Sequence, residues 1–358
     1  MSVRVLLADD SAVARTLLSA VIERGEGLEL VGAARNGLEA VEMAERLAPD
    51  VVVMDVQMPG LDGIAATREI MRRTPRPVVI VSSLDARDSK LAFDAIAAGA
   101  LAGQATPPPP GAPEFEATTR RFAESLRSLA AVQLRRSAPA QPQRSPTLAV
   151  TAVDLVAIGA STGGPAALGR ILGALPADLG TPIVIVQHIV DGFDRGLAAW
   201  LDTQTPLRVA LATDGQRAQP GDVLIAPSGS HMAVRPSLTV RIERGPPIGG
   251  HRPAATHLFH SVAAFGPRAL SVILTGMGAD GVPGLVAVKA RGGTVIAQDG
   301  PSCVIHGMPR KAVRAGAVDR ELPLDEIASA IAAATARRPD GVSRAVSSPG
   351  PVNALRHP

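Results

Sequence analysis

The residue with the most chemistry in this chain is a serine set in a glycine-rich turn. Val153–Pro165 reads VDLVAIGASTGGP, an apolar run followed by Gly-Ala-Ser-Thr-Gly-Gly, and a helix-compatible stretch over Ala166–Leu175 comes next. Strand, sharp turn and helix is the arrangement that lifts a serine hydroxyl above the carboxyl end of a parallel sheet. Gly159 is expected to let the backbone turn, and Gly163 and Gly164 to clear side chains from the path of a substrate. The following helix aims free N–H groups and partial positive charge at the same point, where an oxyanion would form. On this reading Ser161 is a nucleophile. A structural loop and a dinucleotide or phosphate site are the plainer readings. A dinucleotide site expects an acid about 20 residues on, at the end of the second strand. Here the second strand, Pro182–Val186, ends in Gln187-His188, which weakens the cofactor reading and favours the catalytic one.

A serine hydroxyl needs an imidazole to take its proton, and the imidazole needs a carboxylate to fix its tautomer and stabilise its cation. His188 supplies the first. For the second, Leu270–Leu274 reads as a buried strand running into Thr275-Gly276-Met277-Gly278-Ala279-Asp280-Gly281, and Asp280 is favoured by the glycines around it over Asp191, Asp194 and Asp299. The order Ser161, His188, Asp280 differs from the Ser-Asp-His order of α/β-hydrolases, so the chemistry would be reached on another fold. His231, His257, His260 and His306 lack a strand-end glycine context, whereas His251-Arg252-Pro253 looks like a loop presenting donors to a substrate.

A second cluster lies near the N-terminus. Asp9 and Asp10 follow the strand Val3–Ala8, and Asp55 follows Val51–Met54. Three carboxylates side by side raise one another's pKa values unless a cation neutralises them. Oxygen ligands with open positions suit Mg²⁺, leaving Asp55 free to attack a phosphoryl donor. The plainer reading makes each Asp a helix N-cap.

These residues need elements to hold them at one edge. Leu28–Ala34 and Val78–Val81 read as further strands, with helices at Gly37–Leu47 and Gly63–Arg73, another through Ala98, and a degenerate fifth strand near Ala100–Ala105. Short apolar strands alternating with helices predict a doubly wound parallel sheet, in which residues past the strand ends share a crevice. Glu114–Arg135 carries Phe115, Phe122, Leu126 and Leu129 at helical spacing. The fold class is therefore α/β with two doubly wound domains, expected at 1–135 and 150–338, the second mostly parallel. A Pro-, Ser- and Gln-rich linker at 136–149 and a disordered tail at 339–358 complete the plan.

Composition narrows the function. In 358 residues only 2% are aromatic, which speaks against base stacking on nucleic acid, and no charge run marks a nucleic-acid-binding arm. A single cysteine, Cys303, excludes an internal disulfide, and there is no zinc-ligand spacing. No signal peptide and no apolar run of membrane-spanning length is present, so a soluble, cytoplasmic protein is expected.

Residues 1–135, with ADDS, VVVMDVQMPGLDG and VIVSS in order, resemble a response-regulator receiver domain with a flavodoxin-like parallel sheet. The resemblance implies Asp55 as phospho-acceptor, Asp9 and Asp10 as Mg²⁺ ligands, and Ser82 as the switch hydroxyl. One departure is Thr106, which stands where receivers carry a lysine before a proline; Gly103-Gln104 and the Pro107–Pro110 run are also unusual. Together with IGASTGGP, VQH, GGHRP, ILTGMGADG and IAQDGPSCVIHGMPR, nearly the whole chain resembles the CheB family of chemotaxis protein-glutamate methylesterases and glutamine deamidases. That resemblance implies a Ser161–His188–Asp280 triad, the Met277 loop beside the oxyanion region, and no cofactor in the catalytic domain. Methyl-accepting chemotaxis receptors would be the substrate and a chemotaxis histidine kinase the phosphodonor. Thr162 and the Gly163 and Gly164 amides are the candidate oxyanion donors. Ile189-Val190-Asp191 replaces the family's usual Met-Pro-Pro after the histidine. A non-catalytic regulator, with the second domain as scaffold, is the competing class of function.

Overall fold

Strands buried on both faces are the signature of this chain. Val51–Val53 and Val78–Ile80 are fully buried, as are Val156–Ile158 and Ile183–Val186, which is what parallel strands covered by helices on both sides require. The computed structural model describes residues 2–82, 86–132 and 153–336, with backbone alone for 86–90. The expected linker at 136–149, the tail at 339–358 and Ser83 lie outside the described residues.

The first half alternates β1 (Val3–Ala8), α1 (Ala12–Arg24), β2 (Leu28–Ala34), α2 (Gly37–Leu47), β3 (Val51–Asp55) and α3 (Gly63–Arg73). It continues with β4 (Val78–Ser82), α4 (Ala86–Ala97), β5 (Ala102–Ala105) and α5 (Phe115–Ala130). The five strands run in the order β2-β1-β3-β4-β5 and every pairing is parallel. Local capping sets the helix starts. Ser11 accepts from the Ala14 amide at 3.3 Å, Asn36 from Glu39 at 2.9 Å and Asp62 from Ala65 at 2.7 Å. Because Ser11 caps α1, neither Asp9 nor Asp10 is used as its cap.

The second half begins with β6 (Leu155–Ala160), α6 (Gly164–Gly173), β7 (Ile183–Gln187), α7 (Asp194–Asp202), β8 (Arg208–Leu211) and β9 (Asp222–Ile225). The hairpin β10 (His231–Val234) and β11 (Val240–Glu243) precedes α8 (Ala255–Val262), a 3₁₀ turn, β12 (Ala269–Ile273) and α9 (Val282–Ala290). β13 (Thr294–Gln298), α10 (Met308–Arg314), β14 (Arg320–Leu322) and α11 (Leu324–Thr335) close the domain. The main sheet has the order β14-β13-β12-β6-β7-β9-β8 and is wholly parallel, where the sequence suggested mostly parallel; the antiparallel pairing sits apart, in the β10-β11 hairpin.

In both sheets the winding direction reverses beside the first strand, between β1 and β3 and between β12 and β6. Ligands of doubly wound sheets bind outside the carboxyl ends of the strands at that reversal. The two halves touch through α4 and α7, where Phe93 stacks on Trp200 with ring centroids 5.8 Å apart and meets Phe193 edge-on at 6.4 Å. Among the described residues no helix is long and apolar enough to cross a membrane.

Candidate active site

Three adjacent strands deliver the three residues. Ala160 of β6 pairs with Gln187 of β7, so Ser161 and His188 each lie one residue beyond the same rung, about one strand spacing of 5 Å apart. The His188 amide donates to the Ala160 carbonyl at 2.9 Å, and the Ser161 amide to the Thr275 carbonyl at 3.0 Å, tying in the loop that follows β12. That loop ends in Asp280 at the start of α9. Gly163 turns the chain with φ +78°, and a Cβ on Gly164 would lie 2.0 Å from the Gln187 side-chain oxygen, so the elbow closes only with glycines there. Gly159 has a different role from the one its sequence position suggests. It lies within β6, and a Cβ there would meet the Phe259 ring at 3.0 Å, so it admits α8 rather than making the turn.

Asp280 is held by four donors. His188 Nε2 lies 2.7 Å from Oδ2, the Ala255 amide 2.6 Å from Oδ2, and the Thr256 and Gly281 amides 2.9 and 2.8 Å from Oδ1. Two of these amides open α8, so a helix N-terminus faces the carboxylate. Burial opposes its ionisation, but the hydrogen bonds from His188 and Thr256 prevail and hold Asp280 well below the usual carboxylate range. An ionised carboxylate only accepts, so the proton on His188 resides on Nε2 and Nδ1 carries the lone pair. Nδ1 is buried, and among the described residues it has no hydrogen-bond partner. The Ser161 hydroxyl does not bond to it in this resting geometry; both residues line one cavity of about 550 Å³.

Gln187 and Thr275 hold the turn that carries Ser161. The Gln187 carboxamide donates to the Ser161 carbonyl at 2.8 Å and to the His188 carbonyl at 2.7 Å, so one side chain spans both strand ends. The Thr275 hydroxyl donates to the Thr162 carbonyl at 2.9 Å. Among the candidate oxyanion donors, the Gly164 amide is already spent on the Ser161 carbonyl at 2.8 Å, which removes it from that role. The Thr162 and Gly163 amides have no acceptor among the described residues. The Met277 side chain does not line the cavity; its sulfur accepts from the Ser128 hydroxyl of α5 at 3.1 Å. Sequence reasoning placed Gln187 and Thr275 at strand ends but missed that they clamp the turn. Their signal was a polar residue closing an otherwise apolar strand. His251, read as a substrate-facing donor, lies flat on His188 with ring centroids 3.9 Å apart and planes 3° from parallel.

The other half of the molecule also lines this cavity, with Phe93 of α4, Gln104 of β5, and Phe122 and Ser125 of α5 facing Ser161 and His188. At its own sheet edge the carboxylate oxygens of Asp9, Asp10 and Asp55 lie within 4.8 Å of one another. Burial and the charges of Asp9 and Asp10 push Asp55 up to about 7, and burial likewise raises Asp9. Among the described residues this cluster's donors are backbone amides, Ser11 to Asp9 at 2.8 Å and Val56 and Gln57 to Asp55, and for Asp55 burial and neighbouring charge outweigh them. Uncompensated carboxylates this close fit a divalent cation. Ser82 is buried at the end of β4, opposite Ala105 of β5, and Thr106 follows, exposed and with a side chain too short to project far.

Comparison with known proteins agrees with this division. Residues 156–331 match the family described as CheB methylesterase, and residues 5–102 match the response regulator receiver domain. The chain is 44% identical over 340 residues to protein-glutamate methylesterase/protein-glutamine glutaminase 4 of Myxococcus xanthus, covering 92% of this chain and 96% of that one. It is 44% identical over 336 residues to protein-glutamate methylesterase/protein-glutamine glutaminase 3 of Anaeromyxobacter dehalogenans, covering 92% and 98%. The solved catalytic domain of CheB methylesterase from Thermotoga maritima is 38% identical, covers 51% of this chain and 98% of that one, and superposes with a TM-score of 0.49.

Proposed function

The chain belongs to the CheB methylesterase family with a receiver domain ahead of the catalytic one, and from that premise we propose that it cleaves glutamate methyl esters on chemoreceptor helices, releasing methanol, and deamidates receptor glutamines. The enzyme is a protein-glutamate methylesterase and protein-glutamine glutaminase, and the reading places its work in the cytoplasm on methyl-accepting chemotaxis receptors. The observation that carries the mechanism is the short His188–Asp280 contact beside an elbow serine.

The Ser161 hydroxyl attacks the side-chain carbonyl carbon of the substrate while His188 Nδ1 takes its proton; the C–O bond to the serine forms as the carbonyl π electrons move to oxygen. The Thr162 and Gly163 amides face that oxyanion, each donor of this kind contributing about 3 kcal/mol. Collapse expels methoxide, or ammonia from glutamine, with the proton returned from His188. Water, deprotonated by the same nitrogen, then attacks the acyl-enzyme and restores Ser161. Throughout, Asp280 keeps Nε2–H fixed and offsets the imidazolium charge.

Control of this site falls to the receiver, whose α4, β5 and α5 wall the cavity in. In the proposed cycle Asp55 accepts a phosphoryl group from a chemotaxis histidine kinase and Ser82 turns toward it. Asp9, Asp10 and Asp55 would hold Mg²⁺, which when bound neutralises the carboxylates and orients the phosphoryl donor. With Thr106 in the lysine position, coupling to phosphorylation is weakened; strong activation by a small phosphodonor would count against this. The catalytic proposal is tested by methanol release from methylated receptor membranes. S161A is expected to lose activity by about 10⁴-fold or more, and release at the wild-type rate would leave the second domain a scaffold.

A further inference from the structure

His251 does something that the three-residue mechanism leaves out. The hairpin that presents it is tight. Ile248 and His251 exchange both backbone hydrogen bonds at 3.0 Å, and the two residues between them, Gly249 and Gly250, take φ of +58° and +86°. Positive φ at both central residues is the two-residue turn that glycine pairs favour, so the His251 backbone is fixed. From it the imidazole reaches across and lies on His188, centroids 3.9 Å apart and planes 3° from parallel.

Uncharged aromatic rings do not prefer this geometry, so the fixed turn imposes it in the resting site. Two neutral π faces prefer offset or edge-on arrangements with centroids about 4.5–7 Å apart. A flat stack below that range is favourable when one ring carries positive charge, as a cation over a π face does. During the reaction His188 is the ring that becomes charged, because Asp280 holds its other nitrogen. His251 has no carboxylate of its own within hydrogen-bonding distance among the described residues. Burial, and then the proximity of His188, lower the pKa of His251, while Asp280 acts weakly in the other direction. The other charged groups around the cavity are Asp191, Arg252 and, from α5, Arg121; the Arg252 guanidinium is engaged with the Gly245 carbonyl at 3.0 Å.

We propose that His251 is a positioning residue for this hydrolase: its ring face holds the His188 imidazole in the plane that keeps Nε2 on Asp280 and Nδ1 toward Ser161, and stabilises the imidazolium formed in each step. The proposal rests on His188 being the general base. It asks nothing of the His251 nitrogens, only of its flat face.

The test uses the full chain with H251F, which keeps a flat π face, and H251L, which keeps comparable bulk without one. Methanol release from methylated receptor membranes gives kcat and KM, and the low-field proton NMR resonance of His188 Nε2–H reports the bond to Asp280. H251L is expected to lower kcat about tenfold with KM within twofold, and to broaden that resonance. H251F is expected to restore both. Equal losses in H251F and H251L would show that a ring nitrogen matters, and a rise in KM with kcat unchanged would make His251 a substrate contact; either overturns the proposal, as does wild-type kcat in H251L. H188A separates this from the underlying mechanism. An inactive H188A beside an unaffected H251L rejects the stack alone, whereas an active H188A removes the general base and the stack together.

Discussion

At the reversal point of the receiver sheet, beside β1 and β3, lie Asp9, Asp10 and Asp55; at that of the catalytic sheet, beside β12 and β6, lie Asp280, Ser161 and, one strand further, His188. Both places are chosen by the same rule of winding. Their electrostatics are opposite. Asp55 is pushed up to about 7 by burial and two neighbouring carboxylates, while Asp280, though only 8% exposed, is held well below the usual carboxylate range by four donors. Topology thus decides where polar groups gather, and the supply of hydrogen-bond donors decides what they do. A carboxylate already satisfied by its own protein serves as a fixed support for an imidazole. A cluster short of donors is poised to take in a cation and a phosphoryl group.

The same isosteric change should separate the two sites most sharply. D280N replaces one acceptor oxygen with an NH₂ that must face either the His188 ring or an amide N–H. It is expected to lower kcat by about 10³–10⁴-fold, by leaving His188 without the partner that fixes its tautomer, and to destabilise the catalytic domain. D55N relieves repulsion instead, so the receiver should melt higher in the absence of Mg²⁺. Methanol release and differential scanning calorimetry read the two effects; if both variants moved stability in the same direction, the contrast would fail.

Next in size is the clamp that spans the two strand ends. Q187L removes both hydrogen bonds, to Ser161 at 2.8 Å and to His188 at 2.7 Å, from a residue only 2% exposed. The His188 carbonyl then loses its buried donor, at a cost of roughly 1–3 kcal/mol, while the Ser161 carbonyl keeps the Gly164 amide at 2.8 Å. Because the clamp sets the separation of nucleophile and base, kcat should fall about 10–100-fold with KM little changed. A fall confined to melting temperature would reduce Gln187 to a structural residue.

Much of this arrangement was legible in the residues themselves. The strand-end positions of Asp9, Asp10, Asp55 and His188 followed from short apolar runs ending in polar residues, those of Ser161 and Asp280 from runs meeting glycine, and most strand and helix bounds of the receiver fell within one or two residues of those observed. Periodicity missed what was short or half-exposed. β8 has alternating residues open to solvent, and β14 is three residues long; neither gives a buried run. α10 is seven residues long and opens on Met308-Pro309, too short for a helical stripe, and the alanine-rich α11 carries no motif. Within the site, Gly159 was misassigned because a strand glycine admitting Phe259 and a turn glycine are alike in sequence. The Gly164 amide was misassigned because its bond to Ser161 exists only once the turn closes, and the His188–His251 stack joins elements 63 residues apart in number, with nothing local to announce it.

The carboxylate contrast also predicts opposite responses to pH. Asp55 binds its proton more tightly in the folded receiver than in the unfolded chain, so folding stability is greatest below its ordinary value of 3.8 and falls as pH rises toward about 7. The loss is about 2 kcal/mol once solvent screening of a half-buried group is discounted. Calorimetry of the full chain in a chelator should show this slope for the receiver transition, and added Mg²⁺ should flatten it. Asp280 behaves in the other sense. Its stabilising effect is fully present above the ordinary carboxylate range and is lost only as pH falls far below it. A receiver transition independent of pH in chelator would remove the argument that this cluster wants a cation.

The smallest effect is expected from returning a cation to the receiver. Thr106 stands just past the Ser82–Ala105 rung, two strands from Asp55 or roughly 10 Å, a gap a lysine side chain narrows and a threonine does not. Its position is exposed, so an ammonium there is well hydrated and screened, and T106K should lower the Asp55 pKa by only about one unit. That is enough to reduce the pH slope without Mg²⁺ and to raise activation by a small phosphodonor a few-fold, since a phosphorylated Asp55 would gain a partner at the end of β5, the strand that faces the catalytic cavity. Titration of Asp55 by carboxyl NMR, with methanol release before and after phosphodonor, reads both consequences. An unchanged Asp55 titration in T106K would mean that the electropositive deficit of the receiver lies elsewhere than at this residue.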